Sequence, residues 1–304
     1  MKYIDIIIKI AEINDKIVLI DCDLAKCFES YLFEKKFPKR YFNFGISEQN
    51  AISIAAGLAS MGFIPIVQMF SSFLTTRSCD QIRNCLALNN LNVILIGNKA
   101  GFSDTYGGAT HQSIDDIGIL SSIPNVDIYS PIDLMDFKKM LLYSIKNNSV
   151  SYFRFEDVLI LKKNHIYNTS NINTDSKKLL IVTCGEMLSS ICINAINKLK
   201  EENLNVNLLV LKHIKPLNED YLIKVISKFE YLLVIENHTR QNGIASKILM
   251  LLNKYRINKK LYIISIEDCF TESGTMSELL KKYGMSEDSI IKKCKLIMEK
   301  KDEK

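Results

Sequence analysis

The residues best suited to chemistry begin with Glu48, inside the stretch Tyr41–Met61, YFNFGISEQNAISIAAGLASM. A strand-like apolar start (Tyr41, Phe42, Phe44) runs into Gly45, and the helix that follows carries Glu48 in its first turn. Ser47 is placed to cap this helix, and Ile46, Ile52, Ala55, Ala56 and Ala59 give it a packing face. Two readings of Glu48 stand. An acid at the mouth of a strand–turn–helix unit sits where α/β proteins place chemistry. An acid in a first helical turn also simply matches the helix dipole, and spacing alone favours that reading.

Other candidates lie on later loops. Thr110-His111-Gln112 closes a glycine-bearing loop, Gly101–Gln112, after the apolar run Asn92–Gly97. A histidine there can donate to a carbonyl or alkoxide oxygen, or move a proton near neutral pH; it can equally tie a loop to a backbone carbonyl. Gly107 and Gly108 allow a tight turn or a close approach to a ligand. Arg77, four residues after Phe73, is either a binding cation or half of a weak surface pair with Asp80. Arg154 ends an apolar strand beside Glu156 and Asp157 and has the same two readings. His213 and His238 follow strands of the second half and read as structural, while His165 lies in a polar stretch and reads as solvated.

The elements that must position these groups alternate. The pattern predicts a helix over Lys2–Asn14, with Ile6, Ile7, Ile10 and Ile13 on one side, and a strand over Ile17–Asp21 ending in Asp21-Cys22-Asp23. Strands at Pro65–Phe70, Asn92–Gly97, Val126–Tyr129 and Ser151–Phe155 alternate with helices, one of them starting near Asp133. The polar, Asn-rich run 162–176 reads as a linker between a first domain, 1–161, and a second, 177–304. The second half repeats the alternation, with strands at Leu179–Thr183, Asn205–Leu211, Tyr231–Glu236 and Leu261–Ser265. The fold class is therefore α/β, two doubly wound domains with mostly parallel sheets.

Composition narrows the function. The 304 residues and their apolar and charged fractions suit a globular protein with a sizeable core. A net charge of +5 with scattered lysines gives no nucleic-acid stripe. Eight cysteines form no CxxC pair, and only four histidines could join them at a metal, so free buried thiols in a reducing compartment are expected. The N-terminal run is broken by Asp5, Lys9 and Glu12, and no run reaches the length of a membrane span, so a cytoplasmic location is expected. No GxGxxG or GxxxxGK[ST] phosphate loop is present.

Several segments, in order and covering nearly the whole chain, resemble the C-terminal half of the transketolases, in the form where that half is a separate polypeptide. FNFGISEQNAISIAAGLASMGFIPIV resembles the family's pyrimidine-domain signature. SSFLTTRSCDQIRN, GGATHQSIDDIGILSSIPN and SPID follow; LKHIKPLN, VIENHT and FTESGTMSELLKKYGMSEDSI resemble its C-terminal domain. The resemblance implies thiamine diphosphate (ThDP) with Mg²⁺ as cofactors. It implies that Glu48, in the SEQN motif, hydrogen-bonds the aminopyrimidine ring and prepares the cofactor to attack a ketose carbonyl. It implies that Phe73, with Phe70, stacks on that ring, and that Asp23 lies near the cofactor and a dimer interface. His111 falls to the reacting oxygens of the donor sugar, Arg154 and Lys99 to its phosphate, and Arg77 to the substrate side.

Two departures bear on the sugar. Gly107 stands where the family usually has an aspartate that contacts a substrate hydroxyl, with Asp104 or Tyr106 as the nearby candidates to replace it. Cys27 stands where a serine often helps to bind phosphate. The chain also has no GDG, the motif that, followed by an asparagine pair, marks the family's diphosphate and Mg²⁺ site. The resemblance thus implies an N-terminal-type partner subunit carrying GDG…NN, self-association to a heterotetramer, and no metal ligands in this chain. The expected activity is ketol transfer from a ketose to an aldose. The alternatives are a 1-deoxy-D-xylulose-5-phosphate synthase-like or modified-sugar enzyme, and a non-catalytic scaffold subunit.

Overall fold

The computed structural model of the chain describes residues 2–147, 149–156 and 178–299. The linker expected at 162–176, with His165, lies outside the described residues. Two sheets organise the rest. The first has the order β2-β1-β3-β4-β6-β5-β9, built from β1 (Ile17–Asp21), β2 (Tyr41–Asn43), β3 (Ile64–Phe70), β4 (Ile94–Asn98), β5 (Val126–Tyr129), β6 (Val150–Arg154) and β9 (His213–Lys215). The second has the order β11-β10-β7-β8, from β7 (Leu179–Thr183), β8 (Val206–Val210), β10 (Tyr231–Thr239) and β11 (Lys260–Ile266). All neighbours pair in parallel except β5 and β9. The apolar runs IVLID and ILIGN are buried along their whole length, as strands covered on both faces by helices must be.

Both sheets reverse direction at an inner strand: the chain leaves β1 for β2 and returns to β3 on its other side, and it leaves β7 for β8 before returning to β10. Such switch points open a crevice at the carboxyl ends of the strands. The segments that follow β2, β3 and β4 carry Glu48, Phe73 and His111 to that edge of the first sheet. One strand crosses the division drawn from the sequence. β9 belongs to the second half yet caps the first sheet, with Tyr129 opposite His213 and their rings stacked at 4.4 Å. Three residues are too short for periodicity to reveal.

The first helix is shorter than its pattern predicts, Tyr3–Ala11, and Ile13 beyond it is 85% exposed. The helix closes at Glu12, and Asn14 Oδ1 accepts from Lys16 N–H in the turn into β1. The helix Glu48–Ser60 buries Glu48, Ala51, Ile52 and Ala55. Ile46, expected on its packing face, is 74% exposed because it precedes the helix, in the turn that follows Gly45. The eight cysteines form no disulfide; Cys22, Cys184, Cys192 and Cys294 are buried, whereas Cys27 and Cys269 are exposed. Among the described residues no helix is long and apolar enough to cross a membrane.

Candidate functional site

Glu48 opens its helix through a turn that Gly45 makes possible, at φ +68° in the left-handed region. Ser47 does not cap the helix with its side chain. Its Oγ donates backward to the Phe44 carbonyl at 2.9 Å, which fixes the turn. Glu48 is thereby held with its side chain only 8% exposed, and it ion-pairs with Arg77, Nη1 to Oε1 at 2.7 Å. The Asp80 pair weighed for Arg77 does not form; Asp80 accepts from Asn84 instead.

β3 runs directly into the helix Ser71–Arg77, which places Phe73 and Arg77 one turn apart on one face. The Arg77 guanidinium carbon lies 3.8 Å from the Phe73 ring centre, a cation–π contact. Phe73 meets His111 at 5.0 Å between ring centres and Phe70 at 5.7 Å, and Phe70 reaches His111 at 6.0 Å. Glu48, Arg77, Phe73, Phe70 and His111 therefore form one continuous cluster, although 63 positions separate Glu48 from His111. The cluster offers an almost buried carboxylate, an aromatic platform and a partly exposed imidazole. A planar, nitrogen-bearing cation already lies across the first two. That donor set fits a planar aminated heterocycle, which needs a ring face and an acceptor for its N–H groups.

His111 is set by its own loop. Thr110 Oγ1 lies 2.9 Å from His111 Nδ1, leaving Nε2 as the nitrogen available to a ligand. A Cβ on Gly107 would stand 2.6 Å from His111 Cβ and 3.0 Å from Asp104 Cγ. The space that a side chain at 107 would need is thus filled by His111 and by the Asp104 carboxylate, which also accepts from Gly107 N–H at 3.2 Å. Tyr106, the other candidate to replace an aspartate, is exposed. The second half sutures this loop: Gln112 Nε2 donates to the Glu272 carbonyl at 3.1 Å, and Gly274 N–H to the Thr105 carbonyl at 3.1 Å.

Three sequence candidates stand apart from the cluster. Asp23 occupies a left-handed turn after β1, φ +63°, with its N–H bonded to Asn43 Oδ1 at 3.0 Å. Lys99 follows β4, partly exposed, also at positive φ, +60°. Arg154 corrects the expectation of an open phosphate clamp. It is fully buried, with Nε on Asp116, Nη1 on Glu156 and Nη2 on Asn237 Oδ1 at 3.1 Å. Glu156 in turn accepts from Met187 N–H at 2.7 Å, at the start of the helix Glu186–Glu201. Burial pushes the Glu156 carboxyl up while the Arg154 charge opposes that rise. The network spans both halves, and the spacing of Asp116, Arg154 and Asn237 along the chain gave no hint of it. His238 is structural as expected: it is buried, with Nε2 accepting from Gly118 N–H at 3.3 Å, and burial lowers its pKa. Among the described residues no group of three or more His, Cys, Asp or Glu side chains could hold a metal.

Known proteins resemble this chain over nearly its whole length. Residues 3–159 match the family model "Transketolase, pyrimidine binding domain", and residues 168–290 match "Transketolase, C-terminal domain". A "Putative transketolase C-terminal section" of Methanocaldococcus jannaschii is 32% identical, covering 98% of this chain and 95% of the relative. The "6-deoxy-6-sulfo-D-fructose transketolase subunit SqwH" of a Clostridium strain, MSTE9, is 26% identical, covering 99% and 94%. The fold superposes on a solved split-gene transketolase, described as an inactive beta4 tetramer, with a TM-score of 0.83 at 24% identity over 97% of this chain and 96% of that one.

Proposed function

The chain belongs to the transketolase family, and we propose that it is the C-terminal subunit of a ThDP-dependent transketolase that moves a two-carbon ketol unit from a ketose to an aldose. The observation that carries this reading is the contact chain Glu48–Arg77–Phe73–His111, which joins a nearly buried carboxylate, an aromatic face and an imidazole at the carboxyl edge of one sheet. When bound, ThDP supplies the electron sink that lets a bond to a carbonyl carbon break. Glu48 would accept a hydrogen bond from the aminopyrimidine ring or share a proton with it. Phe73, with Phe70 behind it, would hold the ring by stacking. His111 would meet the oxygens of the donor sugar, donating to a developing alkoxide or taking a hydroxyl proton. Asp104, standing where a side chain at 107 would point, would accept from a sugar hydroxyl, and Lys99 would meet a phosphate. Arg154 has no place in this scheme, since its guanidinium is buried and bonded on three sides.

The diphosphate and Mg²⁺ would be held by an N-terminal-type subunit, in an assembly working in the cytoplasm. Support comes from the relative whose name makes it a C-terminal section at nearly the same length. The direct test expresses the chain with such a subunit and assays ketol transfer with ThDP and Mg²⁺. Glu48→Ala or Glu48→Gln is expected to abolish turnover nearly completely, and either variant at close to full activity would sink the assignment.

A second reading concerns the donor. Gly107 and Cys27 depart from the usual pattern, and the relative named for a sulfosugar aligns with the whole chain. A donor bearing another anionic or modified group is the form that reading takes. Comparing a sulfonated and a phosphorylated ketose as donors separates the two.

A further inference from the structure

Arg77 makes two contacts at once. Its planar guanidinium lies 3.8 Å from the centre of the Phe73 ring, and its Nη1 donates to Glu48 Oε1 at 2.7 Å. These are the contacts that the reading above assigns to the cofactor's aminopyrimidine: a flat π-system on Phe73 and an N–H into Glu48. The other ring neighbours of Phe73 meet it at steep angles, Phe70 at 89° and His111 at 68°, so neither competes for parallel stacking.

The pair is also unequal. Glu48 is nearly buried, so its charge would be costly without a cation nearby. Arg77 is 47% exposed and sits in the last turn of the seven-residue helix Ser71–Arg77, on a long flexible stem that can swing into water at little cost. A half-exposed ion pair and one cation–π contact are strong enough to hold the guanidinium in place and weak enough to be displaced.

We infer that Arg77 is a built-in occupant of the ring site, paired with Glu48 and covering Phe73 in the free chain and leaving both when an aminopyrimidine enters. Arg77 thereby sets the affinity for the ring: every binding event must first undo its two contacts. The inference rests on the proposed roles of Glu48 and Phe73.

The test uses the full chain and the pyrimidine half of the cofactor, 4-amino-5-hydroxymethyl-2-methylpyrimidine, titrated by NMR. Arg77→Met, which keeps stem length and removes the planar cation, should bind the probe about three- to thirtyfold tighter than the wild type, the range that the two lost contacts span. Arg77→Lys keeps charge without the planar fork and should fall between. In the wild type, the Arg77 Nε–H resonance should move to a solvent-exposed position on saturation. Equal or weaker binding by Arg77→Met, undetectable binding included, overturns the inference. Glu48→Gln, made in the Arg77→Met background, separates the two layers. If it costs affinity while Arg77→Met gains none, the ring site stands and the occupant does not. If it costs nothing, the ring site itself falls, and the inference with it.

Discussion

Arg154 Nε lies 2.9 Å from Asp116 Oδ2 with both side chains completely buried, and the same guanidinium reaches Glu156 Oε1 at 3.2 Å. Asn237 and the N–H of Met187 close the network from the second half. Removing one member leaves the others charged in a low-dielectric interior, which costs about 3–5 kcal/mol. Arg154→Met should therefore lower the urea midpoint sharply, and Arg154→Lys, which keeps the charge but lacks the planar fork that spans Asp116, Glu156 and Asn237, should lower it less. A midpoint near wild type for Arg154→Met would show that the guanidinium does not join the halves.

Glu236 sets a pH response of the folded chain. Burial pushes its carboxyl from 4.5 up to about 8, against the N–H groups of Ile244 at 2.5 Å and Ala245 at 3.3 Å, which favour the charged form. The folded chain thus keeps a proton that the unfolded chain has released. The stability tied to that proton is fully present below about 4.5 and is lost as pH rises through about 8. Glu236→Gln removes the proton exchange, so its stability relative to wild type should improve with rising pH across that window, by at most about 1.4 kcal/mol per pH unit. Glu156, raised in the same direction, leaves a smaller slope in the variant. Denaturation curves for both proteins across the window decide it, and parallel pH profiles would rule the proton out.

What the sequence showed and what it hid follow from the reach of each interaction. The strand and helix alternation is local, so buried runs such as IVLID and ILIGN announce themselves. Glu48, Phe73 and His111 sit in segments that an ordered run of motifs marks. The Glu48–Arg77 pair joins positions 29 apart, and the Arg154–Asn237 bond joins positions 83 apart; no local period encodes either. An arginine ending an apolar strand beside acids looks the same whether it faces a phosphate or a buried carboxylate. Only burial separates the two.

Gly107 is required for space, since its φ of −65° is open to any residue. A Cβ there would lie 2.6 Å from His111 Cβ and 2.8 Å from His111 Cγ, so Gly107→Ala must push the imidazole aside. A displacement of about 1 Å at a reacting group can cost about a hundredfold in rate. Gly107→Ala and Gly107→Asp are both expected to lower kcat/KM for the donor by about ten- to a hundredfold, with affinity for the aminopyrimidine probe unchanged. A gain in kcat/KM for Gly107→Asp with a phosphorylated ketose would instead make position 107 a specificity switch for the sugar.

Gln112 tests whether the second half positions His111. The residue is 3% exposed, and its Nε2 donates both to the Thr105 carbonyl at 3.3 Å, within the His111 loop, and to the Glu272 carbonyl at 3.1 Å, from the second half. Gln112→Glu keeps the size and replaces a donor with an acceptor, so two carbonyl oxygens would face a carboxylate. Each lost hydrogen bond is worth about 1 kcal/mol, and the buried mismatch adds to that. Gly274 N–H still holds Thr105, so the loop should loosen without detaching. The expected result is faster amide exchange across residues 101–113, a fall in kcat for ketol transfer, and unchanged affinity for the pyrimidine probe, because Phe73 and Glu48 stand on other elements. Gln112→Met, which fills the space without an acceptor, should recover part of the rate. Unchanged exchange in Gln112→Glu would show that the suture does not hold His111.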